Sequence, residues 1–206
     1  MTGSLATAAS ASIGQVTFTP GTSSPAGTTG TVAGTFYNYA LAAPSKQTLS
    51  GTYGFGNASG RVGIAGANNA TSPACYLTNP FDGVSGFCIS TDSTASLGVL
   101  AAQPAATYGN SSLSGNFFFG NGEPGDNTVP DISGIASISS GSLTGTQDVS
   151  GPSGLTLDSA ISAALSINAD GTGTLGPHGV IVTNGTQLYF INEASGAPAG
   201  VQVFEP

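Results

Sequence analysis

Short segments in which apolar residues alternate with small polar ones recur along the chain. The clearest is residues 161–167, where Ile, Ala, Leu and Ile alternate with Ser, Ala and Ser. Because successive side chains of a β-strand point to opposite faces of a sheet, this period of two predicts a strand with one apolar face. The turn residues Asn168-Ala-Asp-Gly171 follow, and the strand pattern resumes in Thr172-Gly-Thr-Leu175, so the whole segment indicates a β-hairpin.

The same reasoning predicts strands in the rest of the chain. They lie near residues 15–19, 32–41, 49–55, 61–65, 74–78, 86–91, 96–101, 113–119, 134–139, 143–148, 179–183, 187–192 and 200–204. The chain also has 32 Gly and only 6% charged residues, whereas surface helices are rich in Glu, Lys and Arg. We therefore predict an all-β fold of two related antiparallel β-meander units that form a barrel or a sandwich.

The two halves of the chain are related by an imperfect internal repeat. Four blocks occur in the same order in both halves: residues 31–35 with 142–146, 49–55 with 161–167, 57–60 with 168–171, and 89–104 with 191–206. A repeated order of blocks is the sequence signature of a duplicated structural unit. The pattern predicts a first β unit at residues 1–104 and a second at residues 112–206.

The two units differ at their beginnings. Residues 113–119, Leu-Ser-Gly-Asn-Phe-Phe-Phe, open the second unit with a strong strand pattern, whereas residues 2–12 of the first are nearly all Ser, Thr and Ala. A first unit without its opening strand would have an open sheet edge, which proteins ordinarily cover or pair. The cover would be the N-terminal segment, the second unit or a strand donated by a neighbouring molecule, and a disordered N-terminal tail is the alternative reading. The candidate self-association residues are Thr2, Gly3, Ser4, Leu5, Ala6 and Thr7.

Charge and hydropathy exclude several partners. Two Lys and Arg residues against ten Asp and Glu give a net charge of -8, which repels nucleic acid and acidic membranes. No apolar run approaches the ~20 residues of a membrane span. The first seven residues lack the basic and apolar regions of a signal peptide, so we expect that any export signal has been removed. Solubility based on hydroxyl and amide groups predicts a secreted, extracellular or cell-surface protein.

Cys75 and Cys88 are the only cysteines, and the segment between them contains the turn residues Asn79, Pro80 and Gly83. A disulfide here would close a hairpin and stabilise it by about 3 kcal/mol. Two buried free thiols are the alternative reading.

Few residues suit catalysis. The single histidine, His178, lies in Gly-Pro-His-Gly between two predicted strands, and no Gly-x-Ser-x-Gly elbow lies between a clear strand and a helix. We therefore interpret His178 as a turn residue and predict that the protein is not an enzyme.

One loop carries candidate metal ligands. Residues 121–131 concentrate Glu123, Asp126 and Asp131 in a Gly-containing segment, and oxygen ligands of this kind suit Ca²⁺. The spacing fits no EF-hand, and a solvated hairpin loop explains the same residues. Calcium is the one cofactor for which the sequence offers a candidate site.

Several phrases of the sequence are similar to those of a known group of proteins. Residues 49–55 (Leu-Ser-Gly-Thr-Tyr-Gly-Phe), residues 113–119 and residues 168–175 (Asn-Ala-Asp-Gly-Thr-Gly-Thr-Leu) resemble phrases of Gly/Ser/Thr-rich secreted tandem β-repeat proteins from environmental bacteria of acidobacterial type. This resemblance implies an exported surface or matrix component without an established enzymatic activity and with no catalytic residues to transfer. The chain departs from the pattern in its cysteine pair and in residues 57–60, where Asn-Ala-Ser-Gly replaces the Asp-Gly turn.

Three functions follow from these observations. The first is a structural protein of the cell surface or matrix that self-associates into a homo-oligomer or filament by strand donation. The alternative is an adhesion or glycan-binding module, because Tyr37, Tyr39, Tyr53, Tyr76 and Tyr189 lie on predicted strands and tyrosine rings can stack on sugars. A hydrolase is the least favoured and would need His178 or a carboxylate pair in a deep pocket.

Overall fold

A computed structural model describes residues 10–24, 27–40, 43–56, 61–66, 74–77, 85–89, 97–121, 130–194 and 200–206. These residues form β-strands and one short 3₁₀ turn, so the prediction of an all-β fold is confirmed. The strands before residue 101 are β1 (Ser10–Ser24), β2 (Gly27–Ala40), β3 (Ala43–Gly56), β4 (Arg61–Gly66), β5 (Ala74–Leu77), β6 (Gly86–Ile89) and β7 (Leu97–Leu100). The strands after it are β8 (Gly115–Asn121), β9 (Asp131–Ser139), β10 (Ser142–Gly151), β11 (Gly154–Ile167), β12 (Thr172–Leu175), β13 (Gly179–Thr183), β14 (Leu188–Asn192) and β15 (Gln202–Glu205).

The first seven strands form one open sheet in the order of the chain, β1 to β7. Their apolar residues face a small core, and the ring of Phe18 meets the ring of Tyr53 edge-on at 5.2 Å. The fully buried members of this core are Val32, Tyr53, Val62, Ile64 and Cys75. The sheet is a half-barrel, and its described strands do not close around this core.

Strands β8 to β15 form a closed eight-stranded antiparallel barrel. Each strand pairs with the next in the chain, and β15 pairs with β8, so that Phe204 lies opposite Phe119. The interior is filled by side chains from every part of the wall, including Phe117, Ile138 and Leu188. Alternation of large apolar side chains inside and small polar ones outside is the pattern that predicted these strands.

The segment before β8 is tied to the barrel by specific hydrogen bonds. The Nε2 of Gln103 donates to the carbonyl oxygens of Asp170 and Thr183, and the backbone N–H of Tyr108 donates to Ala169 at 3.0 Å. Leu113, only 1% exposed, lies in the barrel core. Residues 103–113 therefore belong structurally with the barrel.

The repeat detected in the sequence relates the two sets of strands. Residues 31–35 lie in β2 and their equivalents 142–146 lie in β10, while residues 49–55 lie in β3 and 161–167 in β11. Since both sets run in chain order, β1 corresponds to β9 and β7 corresponds to β15. Strand β8 has no counterpart among the described strands of the first sheet.

Candidate functional site

The first sheet ends in β1 and β7, and no strand in the described ranges pairs with the outer edge of either. An unpaired edge presents a row of N–H and C=O groups to any chain that can pair with it. In the barrel, the corresponding strands β9 and β15 both pair with β8. One additional strand between β7 and β1 would therefore complete the strand order that closes the barrel.

Burial is uneven along the end strands of the first sheet: near the start of β1 the side chains of Ala11 and Ile13 are only 2% and 6% exposed, but farther along β1 and on β7 the side chains are less buried. Val32 on β2 and Val62 on β4 are almost completely buried. Val16 and Phe18 on β1, and Leu100 on β7, pack against the same core but are only partly buried. Apolar surface therefore remains on the inner face of the sheet, next to the strands whose edges are open.

Strand β8 shows what the barrel has at this position. Phe117 and Phe119 of β8 point inward and are buried, and the ring of Phe119 stacks on the ring of Phe204 with 4.7 Å between centroids. The intervening Phe118 points outward and is exposed. A strand with this alternation both supplies hydrogen bonds to two neighbours and covers the core between them.

Cys75 and Cys88 form a disulfide across β5 and β6, one of the two arrangements considered from the sequence. Their Cα atoms are 4.0 Å apart, which identifies a non-hydrogen-bonded pair of the antiparallel ladder. Because hydrogen-bonded and non-hydrogen-bonded positions alternate, Cys88 exchanges its backbone hydrogen bonds with Gly98 of β7. The backbone N–H and C=O of the next residue, Val99, consequently point away from β6 and toward the open edge.

The outer face of the same strands carries an exposed apolar row. Arg61, Tyr76, Phe87 and Val99 are cross-strand neighbours on β4, β5, β6 and β7, and we call these four residues the outer row. Tyr76 is 46% exposed, Phe87 is 49% exposed and Val99 is 42% exposed, and the Arg61 side chain is also exposed. The row reaches the open edge at Val99, so the edge and the row form one continuous surface.

The tyrosines proposed as sugar-stacking residues do not share one surface. Tyr53 is buried in the first core, Tyr37 and Tyr189 are half-buried, and Tyr76 is exposed in the outer row. The side chain of Tyr39 lies outside the described residues. The exposed ring beside Tyr76 is Phe87, which sequence reasoning did not select. The alternation of residues 86–89 predicts a strand there, but alternation alone does not show which face of the strand is exposed.

The predicted calcium loop falls mostly outside the described residues, which include neither Glu123 nor Asp126. Asp131 is the first residue of β9 and its side chain is exposed. Asn121 uses its Oδ1 to accept a hydrogen bond from the backbone N–H of Ile132, at 2.6 Å. Among the part of the chain that the structure describes, no three His, Cys, Asp or Glu side chains form a metal-binding group.

The candidate self-association residues Thr2, Gly3, Ser4, Leu5, Ala6 and Thr7 also lie outside the described residues.

No helix within the described ranges is long and apolar enough to cross a membrane.

His178, the residue considered for catalysis, lies at a turn of the barrel. His178 is exposed between β12 and β13, and its carbonyl oxygen accepts a hydrogen bond from the backbone N–H of Glu193 at 2.8 Å. Burial raises the pKa of the Glu193 carboxyl group above its ordinary value. The contact between the two residues is through backbone atoms, so it does not pair the imidazole with the carboxylate.

Comparison of the chain with protein-family models, with curated proteins and with solved structures found no significant match. The resemblance to secreted tandem β-repeat proteins therefore stays a prediction.

Proposed function

We propose that this protein is a non-catalytic extracellular structural protein that self-associates by adding a strand from a neighbouring copy to the open edge of its first sheet. The observation that carries the proposal is the difference between two related meanders in one chain. Eight strands close into a barrel, whereas the seven described strands of the other end in β1 and β7, whose outer edges pair with no other described strand.

Two contributions to the free energy of association, hydrogen bonding and apolar burial, favour an added strand. The N–H and C=O groups on the outer sides of β1 and β7 would exchange water for a ladder of backbone hydrogen bonds. The partly buried side chains of Val16, Phe18 and Leu100 would lose the rest of their exposed surface. An incoming strand that turns large apolar side chains inward, as β8 does with Phe117 and Phe119, would gain about 1.5–3 kcal/mol for each one that becomes fully buried.

Two further observations support a location outside the cell. The disulfide between Cys75 and Cys88 is of a kind that persists in oxidising compartments and is rare in the cytosol. The chain also has very few charged residues for its length and keeps itself soluble largely through Ser, Thr and backbone amide groups.

The test is a proline on the open edge of β7. Val99→Pro removes an N–H that points away from β6, so the ladder between β6 and β7 keeps its hydrogen bonds while the edge loses a donor. Val99→Thr is the matched control, because it keeps the N–H and the branched shape. We expect the wild-type chain and Val99→Thr to form ordered multimers in electron microscopy and light scattering, and Val99→Pro to remain monomeric with an unchanged circular dichroism spectrum.

A wild-type chain that stays monomeric at all concentrations contradicts the proposal, as does a Val99→Pro variant that assembles like wild type. Deleting residues 2–7 separately tests the segment that the sequence suggested as the donor. Loss of assembly in the deletion identifies these residues as the donated strand, and unchanged assembly assigns donation to another segment.

One observation favours the alternative function of glycan binding. Tyr76 and Phe87 present two adjacent exposed rings on one sheet face, which is an arrangement on which sugar rings can stack. Retention of the protein on a polysaccharide array, abolished in Tyr76→Ala, is the expected result for this function. Absence of retention on every polysaccharide would count against it.

A further inference from the structure

The long hairpin of β10 and β11 contains a β-bulge that changes which face its side chains occupy. Gln147 pairs with Ser159, but Val149 pairs with Thr156, so β11 has one more residue than β10 in this interval. Asp158 lies in the bulge with φ of 54°, a left-handed conformation that is uncommon for any residue except glycine. Its backbone N–H donates to Oδ1 of Asp148 at 2.9 Å, so a side chain on the partner strand holds the bulge in place.

The bulge turns two leucines out of the barrel wall. The odd-numbered residues of β11 from Ile161 to Ile167 face the core, and an unbroken strand would place Leu155 and Leu157 on that same face. The extra residue reverses the alternation, so Thr156 lies opposite the inward-facing Val149 and the two leucines point to the outside. Leu155 is 65% exposed and Leu157 is 59% exposed.

Both faces of the hairpin are exposed at this level, since Thr156 is exposed as well, so the bulge decides which face the two leucines occupy. Without the bulge the same sequence would continue the apolar face of β11, and bulges commonly serve to re-aim particular side chains. Asp158 follows Leu157 directly and is hydrogen-bonded to Asp148, so the two leucines lie beside a pair of acidic residues near the end of the hairpin. A surface of this kind fits a partner that offers an apolar strip beside a cation.

The outer row is such a surface. It places Tyr76, Phe87 and Val99 in a line that ends in Arg61, and Arg61 is one of only two Lys and Arg residues in a chain of net charge -8. Copies of such an acidic chain repel each other. A contact between Arg61 of one copy and Asp158 of another would reduce this repulsion, because it pairs one of the few cations with a carboxylate.

We propose that Leu155 and Leu157 of one copy dock on the outer row of a second copy, with Asp158 facing Arg61. This inference rests on the proposed self-association and names a second contact within it. The two surfaces are different patches of the same chain, so the contact is head-to-tail and can repeat from copy to copy into a filament or ring. The outer row ends at Val99 on the open edge, so the docked leucines and an added strand would contact adjoining parts of the first sheet.

The first test removes the leucines. In the full-length protein, Leu155→Ser combined with Leu157→Ser should weaken association by about tenfold or more in sedimentation, because two exposed apolar side chains lose their contact while no core residue changes. Thr156→Ser, between them on the opposite face, is the matched control and should leave association unchanged. Unchanged association of the leucine variant overturns the inference.

The second test asks whether Arg61 and Asp158 meet. Arg61→Gln and Asp158→Asn each remove one charge, and Asn tolerates the left-handed conformation of Asp158. If the residues are in contact, each substitution weakens association and the double variant is no weaker than either single variant. Independent, additive effects of the two substitutions contradict the contact.

Cysteine cross-linking between copies separates this inference from the proposal on which it rests. Copies with Leu155→Cys, which lies farther from Asp158 than Leu157 does, mixed with copies carrying Val99→Cys at the far end of the outer row from Arg61, should form a disulfide-linked dimer on oxidation, whereas Thr156→Cys copies should not. Wild-type assembly without this cross-link overturns the leucine contact and leaves strand addition standing. A monomeric wild-type chain overturns both. Retention on polysaccharide that depends on Tyr76 and Phe87, with assembly unaffected by their loss, would make the outer row a glycan site and overturn the inference.

Discussion

The closed barrel and the open sheet are built from related strands, yet they bury their apolar residues to different extents. In the barrel, the strands at the point of closure contribute Phe119 and Phe204, which stack in the interior and are 6% and 2% exposed. In the open sheet, the two end strands β1 and β7 contribute Phe18 and Leu100, which are only partly buried. In the barrel, the pairing of β15 with β8 leaves no open edge and covers the core. The described strands of the first sheet have no such pairing between their last strand and their first.

The largest expected difference is in the loss of stability when an apolar side chain is removed from an end strand of each meander. Phe204→Ala should lower the free energy of unfolding by about 3–5 kcal/mol, because it leaves a cavity against Phe119 in a closed core. Leu100→Ala should cost only about 1 kcal/mol in the monomer, since its side chain is already part exposed. Urea unfolding of monomeric variants, followed by circular dichroism, measures both.

Assembly should change the stability cost of Leu100→Ala but not that of Phe204→Ala. If a neighbouring strand covers Leu100, the cost of Leu100→Ala should rise on assembly while the cost of Phe204→Ala stays constant. Equal costs of Leu100→Ala in the two states would argue that the edge of β7 remains uncovered.

The disulfide should stabilise the open sheet and leave the barrel unaffected. Reduction of Cys75–Cys88 should destabilise the first sheet by about 3 kcal/mol, because the bond closes a short hairpin loop in the unfolded chain. Hydrogen exchange with and without a reductant measures the effect separately in β5–β7 and in β8–β15. Increased exchange throughout the barrel would show instead that the two units unfold together.

The smallest expected effect compares two glycines in strand interiors. A Cβ at Gly134 would lie 2.6 Å from Cζ of Phe119 and against the carbonyl oxygen of Thr146, so Gly134→Ala should cost about 1–3 kcal/mol. A Cβ at Gly63, on the outer face of the open sheet, would meet no atom within 4 Å, so Gly63→Ala should change stability by about 0.5 kcal/mol or less. Thermal unfolding distinguishes these outcomes, and similar losses at both positions would mean that the face at Gly63 is covered.

Much of the strand pattern could be predicted from the sequence because alternation is a local property. Residues 161–167 alternate with period two, and their apolar members face the barrel core as predicted. Boundaries were harder to predict. Strand β11 begins at Gly154, because backbone pairing with β10 continues beyond the point where inside and outside alternate cleanly.

The candidate site was less accessible to sequence reasoning. The sequence indicated an open edge from the weak pattern of residues 2–12, but it did not single out Phe87, Leu155 or Leu157. Leu155 and Leu157 share the parity of Ile161, so alternation alone assigns them to the core. The bulge that reverses them depends on the pairing of Asp158 with a second strand and on its hydrogen bond with Asp148.

The sequence by itself determined the strand-rich character of the chain, its duplication and its scarcity of charge, because these depend on composition, local alternation and the order of blocks. Only the tertiary structure decided that β15 meets β8, that β1 and β7 are the end strands of the first sheet within the described residues, and that Tyr76 aligns with Phe87 and Arg61. Closure, cross-strand register and bulges arise from pairing between residues far apart in the chain, and such pairing leaves no local periodic signal.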